Sequence, residues 1–166
     1  MLQMKLCGDA ILREKCVPVD EITPKLLGIM DEMVAMMREQ NGVGLAAPQV
    51  GITKRFLVMM DPDAGTVYRM INPKILSHST DTVVMEEGCL SVLGPDYLPV
   101  YSNVRRPASV TVSWTDENGK PCMADMSGLP ARIVQHETDH LDGVLFIDLL
   151  SPVHREIVMR KVRKRK

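Results

Sequence analysis

Gln135-His136-Glu137-Thr138-Asp139-His140-Leu141 constrains this chain more than any other stretch. Residues four apart on an α-helix lie on one face, one turn from each other, so His136 and His140 can turn imidazole nitrogens toward a single cation. Glu137 sits one step around the helix, displaced from the ligand positions but within reach of a water on that cation, which suits a general base. The flanking residues predict a helix from about Pro130 to Asp142. Gly128-Leu129-Pro130 supplies a break and a proline for the first turn, and Leu129, Ile133 and Leu141 fall on or beside the histidine face. Gly143 then offers a stop. Such a helix buries its histidines, and neutral imidazoles side by side in a core need a partner that a metal ion provides. The five-residue pattern alone also fits an ordinary amphipathic helix whose histidines cap, pack or face solvent.

Burying that helix requires a core. A chain of 166 residues, 45% hydrophobic and 25% charged, suffices for one core but not two generous ones, so residues 1–166 are expected to form a single domain. A formal net charge of −1 excludes a nucleic-acid binder driven by overall basicity, and specific DNA is not an expected partner. No apolar run follows a basic leader or approaches the length of a membrane span, so the expectation is a cytoplasmic protein with no membrane partner. Cys7, Cys16, Cys89 and Cys122 show no close paired spacing, which in a reducing compartment predicts free thiols.

Along the chain, residues 1–22 read as an irregular arm with an apolar anchor at Ala10-Ile11-Leu12. Thr23 and Pro24 then cap a helix whose Leu26, Leu27, Met30, Met33, Val34 and Met37 repeat at core-facing spacing. Gly42-Val43-Gly44-Leu45-Ala46-Ala47-Pro48-Gln49 is dense in small residues that let another group approach the backbone, and the Gln49 amide can both donate and accept. It is either a ligand-facing wall or a plain helix-to-strand connection. Strands are expected at 56–60 and 67–71, with Asn72-Pro73 ending the second, then at 82–85, 109–114 and 121–126, and finally a short apolar strand at 144–147. Residues 93–103 read as loop. A metal held by two histidines needs a third protein ligand, and a thiolate suits a borderline or softer divalent cation, so Cys89 is the leading candidate. From Pro152 a final helix ends in Arg160, Lys161, Arg163, Lys164, Arg165 and Lys166.

Three separated stretches, Gly42–Gln49, Glu87-Gly88-Cys89-Leu90-Ser91 and Gln135–Leu141, occur in the order and approximate spacing of the three motifs of the peptide deformylases. The chain resembles that family over nearly its whole length. The resemblance implies an α+β fold, with antiparallel sheets around a central metal-bearing helix, an N-terminal helix and a C-terminal helix. It implies a metal-dependent hydrolase that removes the formyl group from the N-terminal formylmethionine of newly synthesised polypeptides. The implied ligands are Cys89, His136 and His140, with Fe(2+) as the expected metal and Zn(2+), Ni(2+) or Co(2+) as occupants of a purified sample. Glu137 would be the base, while the Gln49 amide and the Leu90 backbone N–H would stabilise the developing oxyanion. Gly44 would pair with an extended peptide, and Met85, Leu129 and Ile133 would surround the methionine side chain. Nascent formylmethionyl polypeptides are the implied partners, and the basic C-terminal helix is the implied point of ribosome contact.

Two departures from the family pattern stand out. Cys89-Leu90-Ser91-Val92-Leu93 carries Leu93 where the family has proline, and the loop that follows is longer and has no arginine between Val92 and Val104. Arg132, beside the implied pocket, is expected either to face solvent or to touch substrate at the pocket rim. Two other readings compete with the resemblance. A zincin-like metallopeptidase shares the histidine helix but takes its third ligand downstream, where only His154 follows. A non-catalytic metal protein needs neither Glu137 nor Gln49.

Overall fold

The computed structural model describes residues 2–165; Lys166, the last cation of the basic tail, lies outside them. The elements in chain order are α1 (Pro24–Glu39), β1 (Gly44–Ala46), β2 (Phe56–Met60), β3 (Val67–His78), β4 (Thr82–Glu87), β5 (Ser102–Pro107), β6 (Ser109–Thr115), β7 (Pro121–Ser127), α2 (Gly128–Leu141) and α3 (Pro152–Val162). Five strands form an antiparallel sheet in the order β1-β2-β3-β6-β7, and β4 pairs with β5 in a separate two-stranded sheet.

Strand β2 explains the layering. Its alternating side chains point to opposite faces. Leu57 and Met59 join Met70, Val112, Ile133, Val134 and Leu141 against α2, while Phe56 and Val58 join Met30, Met33, Met37 and Ile71 against α1. The metal-motif helix and the methionine-rich helix therefore lie on opposite faces of one sheet. Thr23 caps α1 by accepting a hydrogen bond from the Leu26 N–H at 3.2 Å, and Pro24 follows at the first turn. A third cluster, Leu12, Val92, Val100, Val104, Phe146, Ile147, Val158 and Val162, packs α3 and the N-terminal arm against the two-stranded sheet.

Several sequence expectations are corrected. Asn72-Pro73 does not end β3, which runs on to His78 through a register shift between Ile71 and Lys74. Asn72 takes φ 51°, a conformation asparagine tolerates better than most residues, and the bulge accommodates a proline that regular pairing would not. Its side-chain amide accepts from the Val19 N–H at 2.8 Å and donates to the Val19 carbonyl at 2.9 Å, pinning the N-terminal arm. The expected strand at 144–147 is instead a 3-10 turn over Phe146–Leu149. Residues 102–107, which overlap the end of the expected loop and carry no expected strand, form β5, and β4 extends to Glu87. The four cysteines are free thiols.

Candidate metal centre and active-site cavity

Helix α2 starts at Gly128, whose φ of 61° turns the chain out of β7, and stops before Gly143 at φ 74°. His136 and His140 are both buried, their rings 5.1 Å apart centroid to centroid. Cys89 arrives from the segment after β4, and one donor atom from each of Cys89, His136 and His140 lies within 4.8 Å of the others. The Cys89 Sγ is 3.3 Å from His140 Nε2.

The surroundings fix each donor. His136 Nδ1 lies 2.8 Å from Glu87 Oε1. Burial alone would raise the Glu87 carboxyl, but hydrogen bonds from His136 and Arg106 hold it down to about 2, so it is ionised and accepts the Nδ1–H. With Nδ1 so engaged, Nε2 is the nitrogen available to the cluster, the carboxylate–histidine arrangement common behind metal ligands; although burial opposes it, hydrogen bonds to Cys89 and Glu87 raise His136 well above its ordinary value, so a cation bound there would displace the Nε2 proton. Burial, reinforced by the neighbouring His136, keeps His140 well below its ordinary value and hence in the neutral form that ligation needs. The Cys89 sulfur accepts from the Gln49 Nε2 at 3.5 Å and the Ser91 N–H at 3.4 Å, which fixes its place in the cluster. Two nitrogens and a sulfur converging in a buried pocket fit a borderline divalent cation.

Glu137 is buried, and its Oε2 has no hydrogen-bond partner. Burial pushes its carboxyl up to about 7, the range of a group that takes and returns a proton near neutrality. Gly44 on β1 makes room for it: a Cβ there would lie 2.8 Å from both Glu137 Cδ and Cγ. Gln49 is buried as well; its Oε1 accepts from the Ala46 N–H at 2.9 Å, which orients Nε2 toward Ser91 Oγ at 3.0 Å and the Cys89 sulfur.

Gly44, Gln49, Cys89, Leu90, Leu129, Ile133, His136 and Glu137 line one cavity of about 480 Å³, and His140 stands behind it against Cys89. Met85 is half-buried on β4 and is not among the lining residues. The solvent-facing expectation for Arg132 is overturned, because its side chain is buried. It donates to Glu87 Oε2 at 2.6 Å, to the Val104 carbonyl at 2.8 Å and to the Val83 carbonyl at 2.7 Å. Arg106 grips the same carboxylate through Nε at 2.7 Å and NH2 at 3.0 Å and reaches Asp139 at 2.7 Å. Sequence reasoning misses this network, although one signal is present. Arg132 precedes His136 by four residues, so it shares the histidine face by the same spacing that pairs the histidines.

Residues 1–156 match the family model of the polypeptide deformylases. The chain belongs to the polypeptide deformylase family. It is 42% identical over 159 residues to the peptide deformylase of Rhizobium meliloti, covering 94% of this chain and 88% of that one. The crystal structure of a deformylase from Synechococcus elongatus superposes with a TM-score of 0.88 at 38% identity, covering 98% of this chain and 86% of that chain. The deformylase structure from Ehrlichia chaffeensis gives a TM-score of 0.91 at 36% identity, with 99% and 96% covered. The α+β arrangement of antiparallel sheets around a central helix is thus the deformylase fold.

Proposed function

We propose that the cavity bounded by Cys89, His136 and Glu137 is where this deformylase removes the formyl group from the N-terminal methionine of nascent polypeptides, releasing formate. The observation that carries the site assignment is the convergence of the Cys89, His136 and His140 donors beside a buried carboxylate with a free oxygen. The metal we assign to these donors is Fe(2+), with Zn(2+), Ni(2+) or Co(2+) able to replace it in purified protein. When bound, it supplies Lewis-acid polarisation of the formyl carbonyl and an acidified water.

The chain's own groups do the rest. Glu137 accepts the proton of the attacking water and passes it to the departing amine, so one carboxylate serves both steps. The Gln49 Nε2, fixed beside the Cys89 sulfur, and the Leu90 backbone N–H meet the negative charge that grows on the carbonyl oxygen. Leu129 and Ile133 give the methionine side chain an apolar wall, and Gly44, on the edge strand of the sheet, offers its backbone to an extended peptide.

The zincin-like alternative draws no support from the geometry. His154 is exposed on α3 and hydrogen-bonds Ser151, while the third donor near the histidines comes from upstream Cys89. Formate release from formyl-Met-Ala-Ser by the iron-loaded protein under anaerobic conditions tests the reading. Internal peptide cleavage without formate would replace it. Among the described residues no helix is long and apolar enough to cross a membrane. We assign ribosome contact to the exposed cations of α3.

A further inference from the structure

Helix α2 lines a second cavity with residues other than those of the donor cluster. Gln135, Thr138, Asp139 and Asp142 recur at the spacing of one helix face, and they border this cavity together with Lys74, Ile75 and His78 of β3. The ladder between β3 and β6 shifts register on both sides of Lys74 and Ile75. A strand that bulges also bends, and about 280 Å³ is left open between this stretch and the helix. An adjoining hollow of about 400 Å³ shares Arg55, Lys74 and Asp142 with the cavity and is lined further by Lys15, Cys16, Pro18 and Pro73. Neither shares a residue with the catalytic cavity.

Hydrogen-bond donors are left over in this pair of spaces. Asp142 accepts from Arg55 Nη1 at 2.7 Å and Asp139 from Arg106 Nη1 at 2.7 Å, and the rest of Arg106 grips Glu87. Both aspartates are therefore paired. Arg55 uses only Nη1, on Asp142 and the Leu141 carbonyl, so its Nε and Nη2 meet no acceptor among the described residues. Lys74 and Lys15 likewise have no carboxylate partner among the described residues. Thr138 adds a polar group that the fold leaves unmet. It is 8% exposed and its Oγ1 is buried without a hydrogen-bond partner, although a helical threonine can bond back to the carbonyl four residues earlier. A buried hydroxyl in that state costs stability unless a ligand meets it.

We propose that this cavity binds the phosphate monoester of a small organic molecule, the phosphate held by Arg55, Lys74 and Thr138 and the organic part lying over Pro18 and Pro73 in the adjoining hollow. A guanidinium, an ammonium and a hydroxyl together suit a multiply charged oxyanion. A carboxylate brings one charge and two oxygens to these donors, whereas a phosphate monoester brings about two charges and three oxygens. Thr138 is at the buried end of the cavity, which a terminal phosphate can approach. The internal phosphodiester of a nucleic-acid strand, carrying chain on both sides, cannot.

Isothermal titration calorimetry of the metal-loaded protein with phenyl phosphate, acetate and poly(U) tests the site. Phenyl phosphate is expected to saturate one site per chain with a Kd of about 1 mM or tighter, and acetate to bind at least about tenfold more weakly. Lys74→Gln should weaken phenyl phosphate by about tenfold, and Thr138→Val, which keeps the side-chain volume, by about threefold. Lys74 is exposed on β3, so the Tm of Lys74→Gln should match the wild type and the loss is one of binding, even if Thr138→Val fails to fold. Phenyl phosphate affinity that is equal in wild type and Lys74→Gln would place the anion elsewhere, on the metal for example, and overturn the inference. So would the absence of saturable binding, or binding of poly(U) alone, which would make these cations an open electrostatic surface.

Discussion

Gly44 and Glu137 form a pair in which one residue's lack of a side chain determines the other's position. A methyl group at Gly44 enters the space of the Glu137 carboxylate, so Gly44→Ala must push Glu137, the base we propose, away or distort β1. Displacement of a catalytic group by about 1 Å can cost about 100-fold, and we expect a turnover loss of that order with metal content intact. Glu137→Gln keeps the volume but removes the proton acceptor, and should lower turnover by about 10²–10⁴ while the metal remains. Elemental analysis beside single-turnover kinetics checks both; near-normal turnover in metal-replete Glu137→Gln would remove this residue from the mechanism. Arg132 acts one step further out. Arg132→Met leaves the Val83 and Val104 carbonyls without its hydrogen bonds and Glu87 with one cation fewer. Breaking such a buried pair typically costs about 3–5 kcal/mol, and loosening the carboxylate behind a ligating histidine about 10–100-fold in metal affinity. Competition with a chelator and thermal denaturation together measure these losses, and wild-type values in both would reduce Arg132 to a passive filler.

Between elements, Asp148 is the fastener of the C-terminal third. Both its carboxylate oxygens engage Arg13 of the arm, and it also accepts from the Leu145 N–H at 2.9 Å and meets Arg155 of α3 at 3.4 Å. Partial burial opposes ionisation, but these hydrogen bonds and charges overcome it and hold the Asp148 carboxyl below its ordinary value. A carboxyl with a depressed native pKa stabilises the fold above its unfolded value near 3.9, and the contribution fades as pH falls through the native one. Because the ion pairs are partly exposed, Asp148→Asn should cost only about 1 kcal/mol at pH 7, about 2–4 °C in Tm, and the difference should fade as the pH falls through the lowered native value. A deficit independent of pH would show that the carboxylate's charge contributes nothing. The same region shows where the sequence is legible and where it is not. Helices α1, α2 and α3 follow from local periodicity and end signals, and the donor set follows from spacing plus the chemistry of a third ligand. Residues 144–147 read as a strand because a short apolar run carries no periodicity of its own, and the 3-10 turn found over Phe146–Leu149 is closed by Asp148 accepting from the Leu145 N–H. The continuation of β3 through Asn72-Pro73 depends on Val19, more than fifty residues away, to satisfy a bulged asparagine. Arg132 reads as a solvent-facing residue because its partners, Glu87 and the Val83 and Val104 carbonyls, come from the two-stranded sheet, one strand of which carries no clear strand signal in the sequence.

For the molecule as a whole, a net charge of −1 hides a local asymmetry. Helix α3 is anchored through buried Val158 and Val162, and it presents Arg160 and Lys161 to solvent in its last turn, with Lys164 exposed just past its end, where cations also suit the helix dipole. Arg155 and Arg163 are engaged with Asp148 and Glu156. Removing the chain after Ser151 would strip two buried valines from the core, about 1.5–3 kcal/mol each, so truncation would confound docking with folding. Neutralising the three exposed cations as Arg160→Gln, Lys161→Gln and Lys164→Gln leaves the buried face alone. If α3 meets ribosomal RNA phosphates, these changes should weaken cosedimentation with ribosomes and reduce its salt dependence by about one unit of log–log slope for each phosphate no longer neutralised. Deformylation of a short formyl-peptide should not follow the same trend, because α3 contributes no residue to the cavity lining. An unchanged salt slope in a folded triple variant would make the basic end an ordinary solvated terminus, and the nascent chain would then have to be met without help from this helix.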